Sequence, residues 1–255
     1  MNLKDKIWSY SSVKLFESCP YAFKLKYIDG IEERPNAMAQ CGKLAHSILE
    51  RYFKGELMAF ELADVFEAEY ADAVTERFPF FNMYRSFYEK TYEYFLNFEG
   101  LDDKYEVVAV EQEVKPLITR NFNEFVPVSG YRFVGYIDLI LRDEQGLVIV
   151  DHKSHGAWKS KKERHEYFRQ LYLYAYAVWR LYGDVPYKLV FNKFRTGEWD
   201  EELVNAEDSR EALEWFVGGI DKAMSERDWD CKFDKFGCDS LCGFEDCVFN
   251  GRAEL

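Results

Sequence analysis

Two aspartates sit in neighbouring β-rich runs that a short turn folds back on each other, and this arrangement constrains the chain more than any other feature. The runs are Gly135-Tyr136-Ile137-Asp138-Leu139-Ile140-Leu141 and Leu147-Val148-Ile149-Val150-Asp151-His152-Lys153, joined through Asp143-Glu144-Gln145-Gly146. A polar, glycine-ended turn between two such runs signals a hairpin. Side chains alternate across a strand, so Asp151 and Lys153 share one face while His152 takes the other. The hairpin brings Asp138 toward that pair. Two carboxylates beside a lysine suit a hard divalent cation and a water held for attack on a phosphate. Either aspartate alone would read as an ordinary strand-end surface residue.

The remaining chain supports a folded, water-facing protein. It has 255 residues, 48% apolar and 18% aromatic, enough for a sizeable core. This is read as one domain over 1–255, with a helical insertion at about 57–100 and a cysteine-bearing end at about 228–250. No apolar run is long enough to span a bilayer, and the start lacks a secretory apolar stretch, so a cytoplasmic location is expected. The formal net charge of -13 argues against a protein that coats nucleic acid non-specifically. It leaves room for a local basic patch, which is all that phosphate contact requires. Lys159, Lys161, Lys162 and Arg164 form one candidate for DNA contact, with a solvated loop as the competing reading. The aromatics interleaved with Lys14, Lys24 and Lys26 read as core.

Helical patterns are expected at about 38–54, through 57–99, at 164–182 ending at Gly183, and at 209–226 with Asp208 or Ser209 as cap. Strands are expected at about 105–114, in the hairpin, and at 187–194 with a short partner. The fold class is therefore α/β, a small mixed β-sheet flanked by helices.

Two further blocks flank the hairpin, and one more acid lies before it. Gly42-Lys43-Leu44-Ala45-His46 lies on the helix before the strands, and Gln170-Leu171-Tyr172-Leu173-Tyr174 on the helix after them. Glu111 lies on the strand preceding the hairpin. The ordered set resembles the RecB-like branch of the PD-(D/E)xK nuclease superfamily, closest to the short stand-alone proteins of phages and prophages. That resemblance implies a restriction-endonuclease-like core and a metal-dependent deoxyribonuclease. It implies Mg²⁺ or Mn²⁺ held by His46, Asp138, Asp151 and the main-chain carbonyl of His152. Lys153 would position water or stabilise charge, and Gln170 and Tyr174 would brace the site or line the DNA channel. Glu111, read from its position alone, is either an accessory acid near the metal or an exposed strand carboxylate. The expected activity is exonucleolytic, on single-stranded or end-bearing DNA, in recombination, repair or phage replication. The alternative is a non-catalytic nucleic-acid-binding or scaffold module with the same fold. No Gly-x-x-x-x-Gly-Lys-[Ser/Thr] motif is present, so unwinding would come from a partner helicase or recombination protein. His155 and His165 read as polar surface, His155 with a phosphate contact as its option.

Four of six cysteines, Cys231, Cys238, Cys242 and Cys247, fall near the C-terminus, with Cys19 and Cys41 far upstream. Without a secretory signal this density favours metal binding over disulfides. The resemblance implies a [4Fe–4S] clasp on Cys19, Cys238, Cys242 and Cys247. The trio's spacing departs by one residue from the family's best-known pattern, and Zn²⁺ on Cys231, Cys238, Cys242 and Cys247 is the alternative. Cys41 reads as a buried core thiol.

Overall fold

The computed structural model describes residues 3–119, 130–244 and 247. Helices α1 (Tyr10–Ser18), α2 (Pro20–Lys24), α3 (Ala37–Phe53), α4 (Leu62–Ala73) and α5 (Phe81–Leu96) precede the strands. Strands β1 (Glu106–Val114), β2 (Leu117–Ile118), β3 (Tyr131–Arg132), β4 (Gly135–Asp143) and β5 (Gly146–Lys153) follow. Helix α6 (Lys161–Tyr182), strands β6 (Lys188–Lys193) and β7 (Glu198–Leu203), and helix α7 (Ala206–Ser225) complete the order. The chain divides into two compact units: Ala37–Val114 with Tyr136–Ser209, and Met1–Asn36 with Lys115–Gly135 and Arg210–Leu255.

The first of these units carries a five-stranded mixed sheet in the order β1-β4-β5-β6-β7. β4 and β5 form the expected antiparallel hairpin, with Leu139 opposite Val150 and Asp143 opposite Gly146. β5 and β6 are parallel, so the chain between them must cross over, and α6 makes that crossing. Leu139 through Leu141, Leu147 through Val150, and Leu189 through Phe191 are fully buried. Such unbroken runs mark central strands covered on both faces, and each side chain contributes about 1.5–3 kcal/mol of burial. The edge strand β7 reads Glu-Trp-Asp-Glu-Glu-Leu, and its charges guard against further strand pairing.

Helix α3 packs Cys41, Leu44, Ala45, Ile48 and Leu49 against Leu62, Ala63 and Phe66 of α4 and Phe95 of α5. The expected helical stretch after residue 57 thus folds as two helices and buries Phe66 and Phe95 here, while Phe60, Phe80 and Phe81 stay exposed. Helix α6 starts at Lys161, earlier than the apolar pattern indicates, because the Ser160 hydroxyl accepts the Glu163 N–H at 3.0 Å. It ends where Gly183 takes a left-handed φ of 73°. Helix α7 starts at Ala206 and not at 209: Asn205 Oδ1 accepts the Asp208 N–H at 2.9 Å, so Asn205 is the cap and Asp208 lies inside the first turn.

In the second unit, Trp8 pairs with Phe133, and its ring stacks on Phe23, which stacks in turn on Trp229. The N-terminal and C-terminal segments are tied together there. Tyr21 N–H donates to the Asp230 carbonyl at 3.3 Å, and Arg34 N–H to the Gly243 carbonyl at 2.9 Å.

Candidate active site

The hairpin register decides where the carboxylates stand. One step beyond the Leu139–Val150 pair, Asp138 and Asp151 come opposite each other on the same face. Both are buried, at 9% and 2% exposure. Lys153 Nζ lies 2.7 Å from Asp151 Oδ2. The peptide N–H of His152 donates to Asp138 Oδ2 at 2.6 Å. Gln170 on α6 donates to Asp151 Oδ1 at 3.1 Å and to the Tyr174 hydroxyl at 2.9 Å, as residues one turn apart on a helix can. His46 on α3 brings Nδ1 to 3.4 Å from Asp138 Oδ2 and makes a hydrogen bond to the backbone of His152. A Cβ placed on Gly42 would stand 3.4 Å from Ser154 Oγ. Glycine at that position lets the His46 helix lie close to the end of β5.

The family model of the PD-(D/E)XK nuclease superfamily matches residues 7–247. The chain belongs to this superfamily. No individually curated protein gives a match. PD-(D/E)XK proteins are in general nucleases or phosphodiesterases, and they typically use divalent metals such as Mg²⁺.

The electrostatics of this PD-(D/E)XK site follow from packing two acids and a base in low dielectric. Burial raises Asp138 well above the ordinary carboxylate range, and the nearby Asp151 adds to the rise against the opposing charge of Lys153. Burial alone would lower Lys153, but Asp151 and Asp138 outweigh it and hold the ammonium protonated. Burial pulls His46 down to about 4, so its imidazole is neutral and able to donate a lone pair. Tyr174 is raised by burial and by Asp151, and stays a phenol.

The residues present fit a divalent cation. Asp151 Oδ2 is buried and receives no well-directed hydrogen bond among the described residues, although the lysine's charge lies beside it. Among the described residues, no three His, Cys, Asp or Glu side chains form a closed cage by themselves. Mg²⁺ does not require one, since it takes one or two carboxylates and keeps several waters. The two aspartates offer oxygen donors of that kind, and the His46 imidazole beside Asp138 offers a nitrogen donor that suits Mn²⁺ better than Mg²⁺.

Several residues were not apparent from the sequence motifs. The His152 side chain, on the opposite face, stacks on Phe53 at 5.7 Å and meets Asn192 Nδ2 at 2.9 Å, and Asn192 in turn meets the Tyr94 hydroxyl. This buried chain steadies the peptide whose N–H holds Asp138. A polar residue on an interior strand was the available signal. Glu111 has a φ of 51°, inside a strand and without glycine's freedom. Its carboxyl is raised by burial, by Glu50 and by Asp151, which places it at the margin of the site.

The basic run divides. Lys159, Lys161 and Lys162 are exposed around the start of α6. Arg164 does not stand free for a ligand: it donates to Asp200 at 2.9 Å, to Glu202 and to the Glu201 carbonyl, and lies over the Phe168 ring. It secures α6 to β7. His165 lies 3.8 Å from Asp208.

In the other unit, Cys19 Sγ and Cys231 Sγ are 3.9 Å apart. Cys242 and Cys247 belong with Cys19 to one small apolar cluster around Ala22, Leu25 and Phe244. Burial, then Cys19, Cys247 and Cys238, push Cys231 up to about 12. Cys242 is raised by burial and by the same neighbours. Five thiols therefore share one neighbourhood. Cys41 is fully buried in the α3 core, as the sequence reading expected.

Proposed function

We propose that this chain is a metal-dependent DNA nuclease of the RecB-like branch, acting as an exonuclease on single-stranded or end-bearing DNA in recombination, repair or phage replication. One observation carries the reading: two buried carboxylates, an ammonium and a neutral imidazole converge at one end of the β4–β5 hairpin. A divalent cation held there by Asp138, Asp151, the His152 carbonyl and His46 supplies charge neutralisation and makes water more acidic. Lys153 holds the attacking water's orientation or meets charge developing on the phosphoryl oxygens. Gln170 orients Asp151 through Oδ1, and Tyr174 fixes Gln170. Glu111 is an accessory acid. Lys159, Lys161 and Lys162 give the strand a basic approach despite the overall negative charge. A helicase or recombination protein would supply unwound strands.

The test uses end-labelled single- and double-stranded DNA with Mg²⁺ or Mn²⁺, comparing the parent with Asp151→Asn. Asparagine keeps the volume and avoids leaving Lys153 beside a cavity. Cleavage should fall by at least about a thousandfold, on the order of 4 kcal/mol of transition-state stabilisation. An Asp151→Asn protein that cuts as fast as its parent overturns the reading, and DNA binding without metal-dependent cleavage by the parent points to the non-catalytic module.

For the thiol group, the reading is a [4Fe–4S] cluster on Cys19, Cys238, Cys242 and Cys247, with Zn²⁺ on Cys231, Cys238, Cys242 and Cys247 as the alternative. Protein purified without oxygen should be brown with broad visible absorbance, and a colourless protein carrying one zinc per chain decides for the alternative.

A further inference from the structure

The loop between β5 and α6 carries an aromatic group that the carboxylate chemistry does not use. His155 lies face to face with Trp158, with centroids 4.5 Å apart and planes 24° apart. Tyr167, on the second turn of α6, approaches both rings, at 5.1 Å from His155 and 5.0 Å from Trp158. The group is held rigidly. Trp158 Nε1 donates to Asp200, its ring packs on Phe191, and the Lys193 ammonium lies 5.1 Å from its centroid. None of the three rings is sealed in the core; all are partly exposed. Burial lowers His155, so its ring stacks as a neutral aromatic.

The position of this group matters more than its composition. Tyr167, Gln170 and Tyr174 are spaced three and four residues apart, so they form one stripe along α6. Gln170 touches Asp151 directly. Tyr167 is the next position on that stripe toward the N-terminus, about 4.5 Å along the axis at 1.5 Å per residue. That step is comparable to the ~3.4 Å spacing of successive stacked bases. The Lys153 ammonium lies 5.7 Å from the centroid of the Phe191 ring, and Trp158 packs on that same ring, so the ring group adjoins the reacting end of the site. Beyond it stand the exposed Lys159, Lys161 and Lys162 at the start of α6. Rigid aromatics flanked by lysines are how proteins hold unpaired strands, the rings taking bases and the ammonium groups taking phosphates.

We propose that His155, Trp158 and Tyr167 form a stacking site for an unpaired base of single-stranded DNA, next to the nucleotide whose phosphate is cut. The site rests on the nuclease reading and makes it more specific: it selects a strand whose bases are free, because a paired base offers no open face to these rings.

The test measures cleavage of labelled single-stranded oligonucleotides in which one abasic residue is moved position by position, and of a blunt duplex. With the parent, an abasic residue at one position should raise KM at least about fivefold and leave kcat nearly unchanged, the low end of base–aromatic stacking. Tyr167→Ala and His155→Ala should raise KM for the intact strand by a similar factor and erase the abasic penalty, while Tyr167→Phe keeps both at parental values. Trp158 is left intact because it also packs on Phe191. Parental KM values for both alanine variants, or an abasic penalty that persists in them, overturn the stacking site while leaving the nuclease reading in place. A parent that cuts no DNA with either metal removes both.

Discussion

Lys6 shows how burial of one charge becomes a dependence on pH. Its side chain is 6% exposed, with the ammonium 3.5 Å from the centroid of the Tyr27 ring. Burial, and then Lys26, lower it to about 8 from an ordinary 10.5. The folded state therefore holds this proton less firmly than the unfolded chain. The cost is fully present below about 8, and it disappears as pH rises toward 10.5. Lys6→Met should raise stability at pH 7 by on the order of 1–2 kcal/mol, the ring contact offsetting part of the burial cost. Urea melts at pH 7 and pH 10.5 check the sign; an equal gain at both pH values would show that the charge is not the cause. At the same scale, Asp138, Asp151 and Lys153 were readable in the sequence because each interrupts or ends an otherwise apolar run that gives no packing reason for a charge. The His152 N–H that holds Asp138 was not readable, since every residue but proline carries the same donor.

Among the elements, α6 does the most to assemble the site. Its face toward the sheet delivers Gln170 and Tyr174, and its early start turns a basic loop into a first helical turn. That start separates two kinds of basic residue. Arg164→Ala should lower stability by about 1–3 kcal/mol, because it takes the guanidinium partner from the half-buried Asp200 and Glu202. Lys162, with an exposed ammonium 3.9 Å from Glu166, contributes little to stability, and Lys162→Ala should leave the melting temperature within a degree or so while weakening single-strand binding. Thermal melts beside binding titrations distinguish the two, and an Arg164→Ala protein with parental stability would refute the buttress. Periodicity located α6 well, but its first turn is polar, and only the Ser160 cap marks it. Likewise β1 was legible from its alternation, whereas the left-handed backbone at Glu111 has no signature in a residue type that rarely adopts it.

At the level of the whole molecule, a net charge of -13 and a proposed polyanionic substrate are compatible because recognition is local. The sequence by itself determined the α/β class, the hairpin, the paired aspartates and their lysine, since hydrophobic alternation and turn chemistry act over a few residues. It also marked Gly42, His46, Gln170 and Tyr174 as a set. Only the tertiary structure decided that His46 reaches Asp138, that Gln170 braces Asp151, that Arg164 belongs to the framework, and that His155, Trp158 and Tyr167 form one aromatic group. The same holds for the division into two units and the gathering of Cys19 with the C-terminal cysteines. Most of these contacts join positions far apart along the chain, and even the nearer ones, such as His155 with Tyr167, depend on how helices, strands and the loop between them pack rather than on any local preference.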